Sequence, residues 1–207
     1  MSLVTLDGKS FVISGASRSG KTWFVALLFA MFKRVMAWDP EDQWSKQPGF
    51  VRVTSIARLA KLAQQTRYRA VKFAYVPGPN LKKEFDDFCR ILFKWVDDGA
   101  PAAGILEELS DVVPIGKADG NYGVLLRRGL KRGLWLANIS QRWQEASKTA
   151  FGNASEFVIF SVADVEDADY LGRKTGIAAA EIATLNTFEY IRKNRITKRV
   201  TRGRMPA

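Results

Sequence analysis

The sequence contains no histidine. Imidazole general-base chemistry and histidine metal ligation are therefore excluded, and acid–base work falls to carboxylates. A single cysteine, Cys89, leaves no internal disulfide and fits a reducing compartment. Long apolar runs are also missing. The longest, Trp23 to Phe32, is about half of the roughly 20 residues that a bilayer-spanning helix needs, and reads as a buried helix. Met1-Ser2-Leu3 lacks the basic-then-apolar pattern of a signal peptide. No repeat, low-complexity stretch or Pro/Gly-rich linker divides the chain. These absences predict a soluble, intracellular protein built on one compact domain.

What the chain has in excess is positive charge. Its 32 Lys and Arg outnumber 21 Asp and Glu, for a net charge of +11 over 207 residues. Hydrophobic content of 47% is ordinary for a globular domain, so the charge does not signal disorder. A folded domain this basic usually meets a polyanion, either nucleic acid or an anionic surface. Seven of the basic residues fall between Arg192 and Arg204, which holds no acidic residue. That distribution predicts one folded domain over 1–190 and a basic tail over 191–207.

Apolar patterning alternates strand-like and helix-like stretches, which predicts a mostly parallel sheet with helices on both faces. Strands are expected at Phe11–Ser14, Val35–Trp38, Val51–Thr54, Arg69–Val76, Ala102–Leu106, Leu134–Ser140 and Phe157–Val162. Helices are expected at Lys21–Lys33, Ile56–Gln65, Leu81–Val96, Tyr122–Arg132, Gln144–Ala150, Asp164–Arg173 and Ala178–Thr184.

Between the first strand and the first helix stands Gly15-Ala16-Ser17-Arg18-Ser19-Gly20-Lys21-Thr22. The spacing is Gly-x4-Gly-Lys-Thr, the phosphate-binding loop of P-loop NTPases. Glycines let the backbone curl so that successive N–H groups face phosphate oxygens, and the helix that follows points its positive end at the same anion. Lys21 would reach the outer phosphates of ATP, and the Thr22 hydroxyl would hold Mg2+. Such a site needs carboxylates at a neighbouring strand tip, and Glu107-Glu108 after Ala102–Leu106 supplies two. Glu107 would hold the metal, standing where the usual order has Asp, and Glu108 would act as general base. A polar group on the next strand should sense the terminal phosphate. Gln141 is the leading candidate, with Asn138 and Ser140 as alternatives.

Together these stretches resemble the FtsK–HerA superfamily, specifically the genome-packaging ATPases of tailless, membrane-containing icosahedral viruses. The resemblance rests on the phosphate loop, Ala37-Trp38-Asp39-Pro40, Glu107-Glu108, and Arg127 through Arg142 with its Ser140-Gln141-Arg142 ending. It implies a RecA-like core, a homo-oligomeric ring, commonly hexameric, and ATP hydrolysis that drives duplex viral DNA. It further implies virion portal or membrane proteins as partners and a place in host cytoplasm or at the packaging vertex. An arginine finger is expected just before Gly133. Here Leu130 holds that spot among Arg127, Arg128, Lys131 and Arg132, and Arg128 is favoured. Asp39 matches an acidic position and could cap the following turn. Three other readings compete: an ATPase for filamentous virion assembly, a small-molecule kinase with Gly116–Tyr122 as a lid, and a non-catalytic nucleic-acid binder. A GTPase is disfavoured, because no Asn-Lys-x-Asp segment occurs.

Overall fold

A computed structural model describes residues 8–96 and 101–206, so the reading of Met1-Ser2-Leu3 lies outside the described residues. Nine strands form one sheet in the order β3-β4-β2-β5-β6-β1-β7-β8-β9. They are β1 (Ser10–Ser14), β2 (Arg34–Trp38), β3 (Phe50–Val53), β4 (Val71–Tyr75), β5 (Ala102–Leu106), β6 (Leu134–Ser140), β7 (Glu156–Phe160), β8 (Glu189–Asn194) and β9 (Val200–Arg204). The first seven pair in parallel, and β8 and β9 are added antiparallel beside β7. Strands β1, β2, β5 and β7 are buried along their whole length, as strands covered on both faces must be.

Period-two alternation sorts the side chains into two cores. Met36, Trp38, Phe73, Leu106, Leu136 and Ile159 pack on the face that carries α2 (Ile56–Gln65), α3 (Leu81–Trp95), α4 (Leu109–Val112), α5 (Gly120–Val124), α6 (Lys148–Asn153), α7 (Val165–Thr175) and α8 (Ala179–Ala183). Phe11, Ile13, Val35, Ile105 and Phe160 face α1 (Lys21–Leu28) and a short 3-10 turn at Trp44–Lys46. Helices thus lie on both faces, but unevenly. In β5 the small residues matter: a Cβ on Gly104 would stand 2.7 Å from Leu92 and 2.8 Å from Leu136. The glycine lets α3 pack close beneath the acid pair.

Several expected boundaries moved. The first helix stops at Leu28 rather than Lys33, because the Phe29 and Phe32 rings turn back onto Phe11 and Trp135. The helix expected over Tyr122–Arg132 is three pieces: α5, a wide π-type turn over Leu125–Gly129, and a 3-10 turn over Leu130–Arg132. In place of a helix over Gln144–Ala150 there is a 3-10 turn at Trp143–Glu145, then α6, whose first turn is capped by the Ser147 hydroxyl.

The larger correction concerns the C-terminal end. The boundary drawn at 190 falls inside β8, and residues 189–204 form a hairpin on the free edge of β7. Its charge run hid a strand alternation in which Ile191 is fully buried and Arg192 pairs with Glu156. A free sheet edge offers a row of backbone partners that a basic sequence can fill while its side chains stay wet.

Candidate nucleotide site

The phosphate loop crosses from the C-terminal tip of β1 to the first turn of α1. Gly15 (φ 151°) and Gly20 (φ 110°) occupy the positive-φ region, where a side chain would be strained. Contact also demands glycine at position 15, since a Cβ there would stand 2.6 Å from Phe160 and 2.8 Å from the Ser19 hydroxyl. The loop is braced from outside itself: Ala16 N–H donates to the Ser161 carbonyl at 2.8 Å and Phe188 N–H to the Ser19 carbonyl at 3.1 Å. The C-terminal hairpin therefore begins by buttressing the loop.

Inside the loop the Lys21 ammonium donates to the carbonyls of Gly15 at 2.8 Å and Ala16 at 2.7 Å. Burial lowers its pKa, and the charges of Glu108 and Glu107 work against that shift. Three of the residues singled out from the sequence are thus within electrostatic reach of one another. The hydroxyls of Ser14 and Ser19 are buried there and, among the described residues, have no hydrogen-bond partner. Uncompensated donors at the mouth of a curled loop suit phosphate oxygens.

The acid pair divides as two different environments dictate. Glu107 is buried, and its Oε1 accepts from the Trp44 indole N–H at 2.8 Å. Burial pushes its carboxyl up to about 7, with the Trp44 hydrogen bond opposing the shift and the Glu108 charge adding to it. Glu108 sits in the left-handed region (φ 46°), where β5 turns into α4, and is less buried. Its Oε1 accepts from the Gln141 amide at 2.8 Å. The strand-tip glutamine and the second glutamate of the pair therefore meet, 33 positions apart in sequence.

The alternatives to Gln141 are occupied elsewhere. Asn138 is fully buried; its amide N–H donates to Ser10 and to the Phe11 carbonyl, and its oxygen accepts from Tyr122. Ser140 donates to Ser110 at 3.3 Å. Asp39 caps its turn, as its sequence position suggested: its two oxygens accept from the Gln43 and Ser45 backbone N–H groups at 2.7 and 2.9 Å. That turn sets Trp44 against Glu107. Trp44 escapes a reading of the sequence, because nothing local says that an indole 63 positions upstream will find this carboxylate.

Arg128 is not brought to the loop of its own chain. It is exposed, with its guanidinium 5.5 Å from the Phe93 ring, beside Arg132 at 4.2 Å. These residues precede the N-terminal end of β6, whereas the loop follows the C-terminal end of the parallel neighbour β1. The Gly116–Tyr122 segment is pinned, not lid-like: Ala118 N–H donates to Thr149 and Asn121 N–H to Asp86.

The Glu107 environment predicts a stability signature. A carboxyl whose folded pKa is raised keeps its full contribution below about pH 4.5 and loses it as pH rises through about 7. A displacement of that size corresponds to up to roughly 3 kcal/mol. Glu107→Gln cannot ionise and keeps an acceptor for Trp44. Without nucleotide or metal, thermal unfolding should show the variant gaining on the parent between pH 5 and pH 8. A gap that does not change with pH would remove the burial argument.

Known proteins resemble the chain in sequence and in fold. No protein-family model matches it. Over 147 residues it is 36% identical to Protein P9 of Pseudoalteromonas phage PM2, covering 70% of this chain and 65% of that protein. Among solved structures, it superposes on the genome packaging NTPase B204 from Sulfolobus turreted icosahedral virus 2 in complex with AMPPCP. The TM-score is 0.76 at 14% identity, over 97% of this chain and 99% of that one. The plasmid coupling protein TrwB, bound to the GTP analogue GDPNP, superposes with a TM-score of 0.68 at 9% identity, over 97% and 86%. The fold is that of these P-loop NTPases.

Proposed function

We propose that this chain, which resembles packaging P-loop ATPases of the FtsK–HerA type in sequence and in fold, hydrolyses ATP to move DNA, as a viral genome-packaging motor. The observation that carries the reading is the contact of Gln141 with Glu108 beside a glycine-built loop holding Lys21. A strand-tip amide on the proposed base offers a link between phosphate state and hydrolysis that a simple binder does not need.

The residues present fit the expected ligands. Gly15, Ala16, Ser17, Arg18, Ser19, Gly20, Lys21 and Thr22 would wrap the phosphates of ATP with backbone N–H groups and the ammonium. Thr22 and Glu107 would hold Mg2+, since a hydroxyl and a carboxylate are the hard oxygen donors this ion prefers. When bound, the ion neutralises charge on the phosphate oxygens. Trp44 keeps Glu107 in place, Glu108 takes the proton of the attacking water, and Gln141 orients Glu108. Arg128 would serve a neighbouring copy in a ring, since its own loop lies at the other end of the sheet. The basic hairpin β8–β9 is proposed as part of the DNA contact.

A kinase reading finds no support in Gly116–Tyr122, which is tied to α3 and α6. Among the described residues no helix is long and apolar enough to cross a membrane. The deciding experiment is ATP turnover with and without duplex DNA, with Lys21→Ala as control. DNA-stimulated turnover, and a control whose nucleotide affinity falls roughly 10–100-fold with the loss of a charged hydrogen-bond donor, supports the motor. Turnover that needs a small acceptor points to a kinase. Normal turnover by folded Lys21→Ala protein would sink the assignment.

A further inference from the structure

Away from the nucleotide site, a cleft of about 320 Å³ opens between α6, α7 and the β8–β9 turn. Four cations line it: Lys174, Lys193, Arg195 and Lys198. Its other lining residues are Phe151, Gly152, Phe157 and Thr175, so among the described residues no carboxylate lines it. Among the described residues none of the four cations has a carboxylate partner. Like charges that converge without a counter-charge repel one another, and the arrangement calls for an anion.

Part of this charge has a structural use. Lys193 donates to the Gly176 carbonyl at 2.9 Å, and Arg195 donates to the carbonyls of Gly152 and Ala154, closing the C-terminal ends of α7 and α6. Lys174 and Lys198 are different. Both are exposed, and Lys174 rests over the Tyr170 ring at 5.5 Å, with no carbonyl or carboxylate to hold among the described residues. The helices that reach the cleft present their carbonyl ends, so no helix dipole helps to hold a single small anion there. Attraction comes from side-chain charge alone. That form of attraction favours a polyanion, whose condensed counterions are released on contact.

We propose that this cleft binds the phosphodiester backbone of the DNA, independently of base sequence. The inference rests on the DNA-motor reading and deepens it by placing the contact. The cleft lies at the N-terminal end of β7, where Arg195 N–H donates to the Ser155 carbonyl, and the phosphate loop lies at the opposite strand ends. DNA held there leaves the nucleotide site open. Lys174 belongs to α7, so the contact is not confined to the basic hairpin.

The test is duplex-oligonucleotide binding as a function of salt by the parent and by the double variant Lys174→Gln/Lys198→Gln. Both side chains are exposed, so the variant should fold and keep its DNA-free ATPase rate. Affinity near physiological salt should fall by roughly ten- to a hundredfold, and the log–log salt slope should shrink by about 0.9 for each phosphate that is no longer neutralised. An unchanged slope and affinity in the variant, with the parent binding normally, overturns the cleft but not the motor. A parent that fails to bind any DNA overturns both. Charge-retaining Lys174→Arg/Lys198→Arg should restore binding; failure to do so would assign the loss to packing and overturn the proposal.

Discussion

Glu108→Gln is expected to retain ATP and lose hydrolysis. The substitution removes the proton acceptor but spares Lys21, Thr22 and Glu107, which hold the nucleotide and its metal in the proposed site. General-base catalysis contributes typically 10²–10⁴-fold, so single-turnover rates should fall by roughly that factor while nucleotide affinity changes little. The structure sharpens the prediction, because Glu108 accepts from Gln141 at 2.8 Å. A Gln141→Ala variant should also slow turnover, yet less, since the base remains and only its orientation is lost. If the two defects are independent, the double variant should show their product; if they act as one unit, it should resemble Glu108→Gln alone. Loss of nucleotide binding by Glu108→Gln, with Glu107→Gln binding normally, would reverse the roles assigned to the pair.

The second large effect concerns Arg128. In its own chain this side chain lies exposed over Phe93, at the far end of the sheet from the loop. It can reach a transferring phosphoryl group only if one copy offers this end to the loop of the next, in a head-to-tail interface of the kind that closes rings. A guanidinium delivered there is worth roughly 10³–10⁵ in rate. Arg128→Ala should therefore lose turnover by that order at concentrations where copies assemble. Mixing it with Glu108→Gln should restore part of the activity, because some interfaces then pair an intact site with an intact finger. Absence of recovery, with mixed assembly confirmed by sedimentation, rejects a trans role for Arg128 and leaves the cluster as a basic face stacked on Phe93.

The sequence by itself determined the elements whose signals are local. The glycine spacing from Gly15 to Gly20, the apolar strand before it and the apolar helix after it are short-range features, and the loop formed where they placed it. Fully apolar strands such as Ala102–Leu106 declared their burial on both faces, and Glu107-Glu108 and Gln141 followed at strand tips. Tertiary structure alone decided what depends on distant partners. Trp44 became the hydrogen-bond partner of Glu107 because the Asp39 turn and β5 come together, and no spacing rule links them. Asn138 left the list of candidate sensors because Ser10, Phe11 and Tyr122 claimed its amide in the core. The basic C-terminal run read as a tail because charge masks a two-residue period, and the open edge of β7 was needed to turn it into strands. Local chemistry is written in adjacent residues; the sheet edge, the buried hydrogen-bond partner and the cationic cleft exist only once remote segments are packed side by side.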